Sequence, residues 1–508
     1  MNSRGKRWLV STAVGGAAAA GGMALLVHAS GPCRPAPRPT MNVLFIAVDD
    51  LRPQLGCYGN EAVISPNIDA LARRGIVFER AFCQQAVCGA SRCSLLSGCR
   101  PDTTGIYTAH ARLRDTMPDV RTLPEHFRRN GYETVSIGKV YHRNSDDPRG
   151  WTRRPYRARG SWVSRGYLSE SSISRITTIR TPRGPKKIGP AYESPDVPDD
   201  AYPDGVAVRR AITELRRLKG KRFFLALGLH KPHLPFNAPR KYWDMYDSPR
   251  LKLAANPFAP RNAPDMALTS WGELRSYVGM PKKSPMPDAE ARRLVHGYHA
   301  CVTYVDALIG RVLDELKRLD LDRSTAVVLW GDHGWKLGEH GAWCKHTNFE
   351  LDARVPLIVS VPGMKTAGRR SRALVELVDL FPTLCDVTGL DPPEHLEGTS
   401  MRPLLEDPGL KWKRAAFSQF PRAGGSVMGR SIRTDRYRYT EWRRVKDDEL
   451  LAAELYDHES DSAENLNVAG EPANAAVVKR LSAMLKAGWR GARPVIPSHS
   501  PAAKPARR

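Results

Sequence analysis

No Asn-x-Ser/Thr acceptor occurs anywhere in the 508 residues, which speaks against a glycosylated lysosomal or secreted eukaryotic protein. Acidic residues are scarce beside basic ones: 53 Asp and Glu stand against 78 Lys and Arg, a formal net charge of +25. A polyanion, a membrane surface or nucleic acid would each accept that excess. No nucleic-acid recognition motif accompanies it, so no nucleic-acid partner is expected. Long apolar runs are missing except one. Trp8 to Ala29, rich in Gly and Ala and preceded by Arg4, Lys6 and Arg7, has the layout of a secretory signal peptide. A retained anchor is the alternative, but so much Gly and Ala gives weak membrane hydrophobicity. Residues 1–32 are read as this leader, with no stable membrane insertion after its removal, and the protein as exported and bacterial, periplasmic or extracellular. Paired cysteines are missing too: the nine present are odd in number and follow no small-domain spacing. Cys57, Cys83, Cys93, Cys301 and Cys385 are expected as free core thiols, and no bridge is predicted.

What the chain does contain is a series of short predicted strands that each end in chemically capable residues. Met41 to Val48 reads as a strand buried on both faces and ends in Asp49-Asp50. Adjacent carboxylates at the C-terminal end of a buried strand either mark a cation site or form an acidic turn. Glu133 to Ile137 delivers Lys139 and His142, Phe223 to Leu229 delivers His230 and His233 in a loop braced by prolines, and Thr325 to Trp330 delivers Asp332 and His333, with Lys345 beyond. Taken singly, several of these would be surface groups. Four strand ends converging on such residues are hard to explain by packing. Helices are predicted over Pro66 to Ala72, Leu123 to Arg129, Asp204 to Leu218 and Ala289 to Leu319, the last from apolar residues at steps of three and four. Further strands are predicted at Ile76 to Phe78 and Val355 to Val361, a helix starting near Val375, and short strands at Ala416 to Pro421, Ile432 to Thr434 and Tyr437 to Trp442. Buried strands separated by helices predict an α/β sandwich with a largely parallel central sheet.

Between the first two strand ends lies Gln84-Gln85-Ala86-Val87-Cys88-Gly89-Ala90-Ser91-Arg92. A cysteine at a helix start beside a guanidinium is either a reactive thiol near an anion-binding N-terminus or a buried cysteine at a strand-to-helix junction. The segment resembles the signature of the type I sulfatases, Cys-x-Pro-Ser-Arg, in which the cysteine is oxidised to formylglycine. It departs from that signature at Ala90, which replaces proline, and at Cys99, which replaces arginine. The resemblance extends from Met41 to about Ala469 and is closest to the iduronate 2-sulfatase branch, through Arg100-Pro101-Asp102-Thr103-Thr104, Gly138-Lys139-Val140-Tyr141-His142, His230-Lys231-Pro232-His233 and Gly331-Asp332-His333-Gly334.

The resemblance implies an alkaline-phosphatase-like α/β sandwich over 40–422, with a large, mostly parallel central sheet flanked by helices, a small C-terminal antiparallel-sheet subdomain over 426–493, and a basic, disordered tail over 494–508. It implies one calcium ion on Asp49, Asp50, Cys88, Asp332 and His333, and catalytic roles for Cys88, Arg92, Lys139, His142, His230 and Lys345. It implies a sulfated carbohydrate substrate, a 2-O-sulfated uronic acid in particular, and a formylglycine-generating maturation enzyme as partner. A phosphate or phosphonate monoester hydrolase on the same fold, or a non-catalytic binder of sulfated glycans, are the alternatives. Arg149 to Lys187 carries eleven Lys or Arg against one Glu with no clear period; a solvated basic loop or a rim for a sulfated chain is expected there.

Overall fold

The structure, a computed structural model, describes residues 41–142, 145–158, 166–181 and 184–494. The leader, the tail beyond 494 and part of the basic insertion lie outside them. In chain order the elements that frame the site are β1 (Asn42–Val48), α1 (Pro66–Arg73), β2 (Ile76–Phe82), α2 (Cys88–Ser97), α3 (Leu123–Arg129), β3 (Glu133–Gly138), α4 (Pro203–Leu218), β4 (Phe223–Leu229), α5 (Asp288–Arg318), β5 (Thr325–Gly331), β6 (Leu357–Ser360), β7 (Arg370–Glu376) and α6 (Leu380–Thr388). They are followed by β8 (Ala416–Arg422), β9 (Val427–Arg433), β10 (Tyr437–Arg444), β11 (Leu450–Asp457) and α7 (Ala475–Gly491).

The large sheet has the order β7-β2-β6-β5-β1-β4-β3. The pairings β5/β1, β1/β4, β4/β3 and β7/β2 are parallel, whereas β6 and the two-residue strand Arg354–Val355, paired with Ala81 and Phe82 of β2, run against their neighbours. The mostly parallel sheet read from the apolar runs is therefore present. Its strands alternate between two cores, as a sheet covered on both faces must. From β1, Leu44, Ile46 and Val48 pack with Ile68 and Leu71 of α1, Val208 of α4 and Tyr298 of α5. Val43, Phe45 and Ala47 pack on the other face with Leu95 of α2, Phe127 of α3 and Phe381 of α6. Because β1, β3, β4 and β5 all point the same way, their C-terminal ends open onto one edge of the sheet.

Three expectations change. The strand predicted over Val355 to Val361 is broken: Pro356 has no N–H for the ladder, and its carbonyl instead accepts from Gly331 N–H at 3.0 Å, separating Arg354–Val355 from β6. Val375 and Glu376 end β7 rather than starting a helix, paired with Ala81 and Phe82. Asp379 then accepts from the Glu376 N–H at 2.8 Å, which closes the strand and opens the turn into α6. Within the basic insertion, Thr177–Thr181 and Gly184–Ile188 pair as an antiparallel hairpin, the β-branched Thr and Ile residues favouring extended chain.

The second sheet, β8-β9-β10-β11, is antiparallel throughout, with Leu481 of α7 in its core. It is joined to the large sheet by Gln419 N–H to Gln84 carbonyl at 2.8 Å and Ser418 Oγ–H to Cys83 carbonyl at 2.7 Å. Beneath that seam Arg100 grips Glu376 with two hydrogen bonds of 2.7 and 2.8 Å, while Lys413 bonds both Glu376 and Asp379.

Candidate active site

Val87 is extended, and the chain turns into α2 at Cys88, so residue 88 stands at the helix's first position. Every residue of α2 is buried. A Cβ on Gly89 would meet the Ala109 backbone at 2.5 Å, so only glycine lets the helix start seat this deeply. One turn on, the fully buried Arg92 reaches three strand ends at once. Its Nε–H donates to Asp332 at 2.8 Å, one terminal nitrogen donates to Asp49 at 3.2 Å, and the other donates to the carbonyls of Lys139 and Val140. The Ser91 hydroxyl donates to the Asp332 carbonyl.

At the end of β1 Asp50 adopts φ +58°, a left-handed turn that Asp tolerates better than most residues, and Asp49 and Asp50 reach the same site with different partners. Asp49 pairs with Lys139 and Arg92. Asp50 pairs with Lys345 at 3.1 Å, and its own N–H donates to Asp332 Oδ1 at 3.1 Å. One ligand atom from each of Asp49, Asp50, Cys88 and His333 falls within 4.8 Å of all the others. Cys88 Sγ lies 3.2 Å from His333 Nε2, whose ring also faces Asp50 at 3.4 Å and Asp332 at 3.7 Å. Four of the five residues expected as metal ligands meet in this way, while Asp332 lies beside them, 3.7 Å from the His333 ring and held by Arg92.

Lys139 is delivered where the parallel neighbours β3 and β4 approach closely at Gly138 and Gly228. Gly138 has φ +73°, and a Cβ there would meet the Gly228 carbonyl oxygen at 2.0 Å. His230, beyond β4, is one-sixth exposed at its side chain, and its Nδ1–H donates to Asp204 at 3.3 Å. His142 is buried on the turn after Lys139, its ring edge-on to His110 at 5.2 Å. Lys345 lies 4.6 Å over the Trp335 ring.

Burial raises the carboxyl of Asp50, and Asp49, Glu273 and Asp332 add to it against the pull of Lys345. Asp49 goes the other way: burial would raise it, but Lys139, His233 and Arg92 hold it well below the usual carboxylate range. Burial, with Asp49 next, pushes the Cys88 thiol well up, outweighing Lys139 and Lys345. The reactive-thiol reading of Cys88 is therefore not favoured by these surroundings.

Sequence reasoning missed several neighbours. Glu273, from the Pro-rich stretch between 256 and 287, reaches Lys345 at 2.9 Å and His233 at 3.3 Å. His233, whose Nδ1–H donates to the Leu234 carbonyl at 2.6 Å, turns its other nitrogen to that carboxylate. Arg422 of β8 donates to the carbonyls of Met266, Leu268 and His346, with no carboxylate among these acceptors. It ties the C-terminal sheet to the segment after Lys345. Single acids and arginines without a motif give no sequence signal for such contacts.

The donor set fits a hard divalent cation. Asp49, Asp50 and Asp332 offer carboxylate oxygens at one sheet edge, and burial holds the imidazoles of His233 and His333 below their usual range.

Residues 41–390 match the Sulfatase family, and residues 338–489 match the family described as N-sulphoglucosamine sulphohydrolase, C-terminal. The chain belongs to the sulfatase family. It is a sulfuric ester hydrolase by that membership. This sulfatase is 36% identical to iduronate 2-sulfatase of Homo sapiens over 510 residues, covering 84% of the chain and 91% of that protein. It is 31% identical to a sulfatase of Formosa agariphila, over 87% of the chain and 86% of that protein. Among solved structures, the phosphonate monoester hydrolase of Agrobacterium radiobacter superposes with a TM-score of 0.72 at 25% identity, over 88% of this chain and 95% of that one. The alkaline-phosphatase-like fold of the sulfatases is the fold of this chain.

Proposed function

We propose that this sulfatase is exported and hydrolyses the sulfate ester of a sulfated sugar, a 2-O-sulfated uronic acid. Residue 88 is converted from cysteine to formylglycine by a maturation enzyme, and one calcium ion is held by Asp49, Asp50, residue 88, Asp332 and His333. The observation that carries this reading is the meeting of Asp49, Asp50, Cys88 and His333 ligand atoms within 4.8 Å, at a sheet edge where Arg92, Lys139 and Lys345 supply positive charge. The uronic acid preference is supported by the 36% identity with iduronate 2-sulfatase.

Residue 88, as formylglycine, would supply through its hydrated aldehyde an oxygen nucleophile and a second hydroxyl. Calcium supplies positive charge at the sulfate oxygens. Lys139 and Lys345 add to that charge from two sides, and both are anchored by carboxylates so that little rearrangement is needed as charge develops. Arg92 holds Asp49, Asp332 and the Lys139 carbonyl in one frame. His230 gives its proton to the departing alcohol oxygen as the sulfur–oxygen bond breaks, and His142 takes the proton of the remaining hydroxyl.

The test uses protein from its native host. Peptide mass spectrometry across residue 88 is expected to find an aldehyde in place of the thiol. Sulfate release is expected to be faster from a 2-O-sulfated uronic acid disaccharide than from other sulfated sugars. An intact thiol with retained binding of sulfated chains would replace this reading with a non-catalytic binder. Phosphonate monoester hydrolysis is the second reading, favoured by the 0.72 TM-score to such an enzyme, and faster turnover of an aryl phosphonate than of an aryl sulfate would select it.

A further inference from the structure

His230 is assigned a proton to give, yet an imidazole has two nitrogens, and only one can face a substrate. What decides between them is Asp204, in the first turn of α4. This carboxylate is buried, at 2% exposure, and three hydrogen bonds converge on it from one turn. Oδ1 accepts from the His230 backbone N–H at 2.9 Å and from His230 Nδ1–H at 3.3 Å; Oδ2 accepts from the Lys231 N–H at 2.8 Å. Its ion-pair partner among the described residues is His230.

Two backbone N–H groups alone could be served by a neutral acceptor. A full charge at this depth is costly unless something nearby uses it, and the group that can is the His230 ring. We propose that Asp204 is a positioning residue that makes His230 the proton donor to the departing alcohol. By holding the proton on Nδ1, it leaves Nε2 as the nitrogen that gains and gives a proton, and it stabilises the imidazolium that carries it. On departure the bond between sulfur and the alcohol oxygen breaks, the electron pair stays on that oxygen, and the Nε2 proton neutralises it. Neutral imidazole, still tethered through Nδ1–H, then recovers a proton from water. Asp204 touches neither sulfur nor the leaving group, and it acts through the ring. The proposal rests on the sulfatase reading of His230.

Leaving-group dependence separates this role from a merely structural one. Asp204→Asn and, independently, His230→Asn are assayed with 4-nitrophenyl sulfate, whose alcohol departs without protonation, and with a sulfated sugar, whose alcohol does not. Each variant is expected to lose roughly 10²–10³-fold more kcat/KM on the sugar ester than on the nitrophenyl ester. The basic limb of the Asp204→Asn pH–rate profile is expected to move to lower pH. The double variant is expected to be no worse than His230→Asn alone, since the two residues act as a unit. Equal losses on both esters with an unmoved pH profile would overturn the proposal and leave the sulfatase reading standing. No sulfate release from either ester by the native enzyme would overturn that reading and this proposal with it.

Discussion

Glu273 puts a carboxylate where an anionic substrate has to arrive. It occupies Lys345 and His233 together, and the Lys345 charge holds it well below the usual carboxylate range despite burial. Removing its charge frees Lys345 for an incoming anion, so Glu273→Gln is expected to bind inorganic sulfate roughly fivefold more tightly; weaker product inhibition in the variant would contradict this. A second residue sets acid tolerance. His299 on α5 is buried between the rings of Tyr246 and Tyr298, and its ring nitrogens find no hydrogen-bond partner among the described residues. Burial, helped by Arg52 and His296, lowers its pKa to about 3, against about 6.5 unfolded. The unfolded chain therefore binds this proton first as pH falls. Stability is full above about pH 6.5 and is lost towards pH 3, by roughly 2 kcal/mol between pH 6.5 and 5. A His299→Phe variant is expected to show a flatter urea midpoint over that range. Of the site itself, Asp49, Asp50 and Asp332 were legible because each follows an apolar strand, and Lys139 through the Gly-Lys-x-x-His element. Asp204 and Glu273 were not, since nothing local distinguishes a helix-start aspartate or a lone loop glutamate from a solvated one.

Elements buried on both faces were the most legible: β1, β4 and β5 are seven residues each, apolar or small but for Asn42, a length and composition that suit a buried strand. Where the period is mixed, tertiary pairing decided. Leu374 and Val375 join β2 because that edge was open, although their sequence continues readily into the helix that follows. α7 passed unread, its apolar residues facing a four-stranded sheet that the sequence only hinted at. The seam between the two sheets gives a prediction at this scale. Arg100 answers the buried Glu376 and, with Lys413, balances Asp379. Arg100→Ala leaves a buried carboxylate half-answered and is expected to cost about 3–5 kcal/mol. The loss should be read as a lower urea midpoint, with protection of β8 to β11 in hydrogen exchange falling first.

Across the whole molecule, two parallel strands, β1 and β5, end in carboxylates whose charges repel unless something holds them. The ion proposed here stabilises the folded chain alone, because no unfolded segment carries Asp49, Asp332 and residue 88 together; at a thousandfold excess over its dissociation constant it adds about 4 kcal/mol. Chelation is expected to lower the melting temperature by several degrees and calcium to restore it, whereas an unchanged midpoint would remove the ion from this site. The complete burial of α2 has a consequence in time. Cys88 is 3% exposed and Gly89 is pressed against the Ala109 backbone, so a second enzyme cannot take hold of this segment once β2, β5 and the helix have closed around it. Whatever is done to residue 88 is therefore done to a young chain, and the finished protein keeps a permanent record of whether it happened. Folded protein that still carries the thiol is expected to stay inactive when the maturation enzyme is added afterwards, and to become convertible only after unfolding.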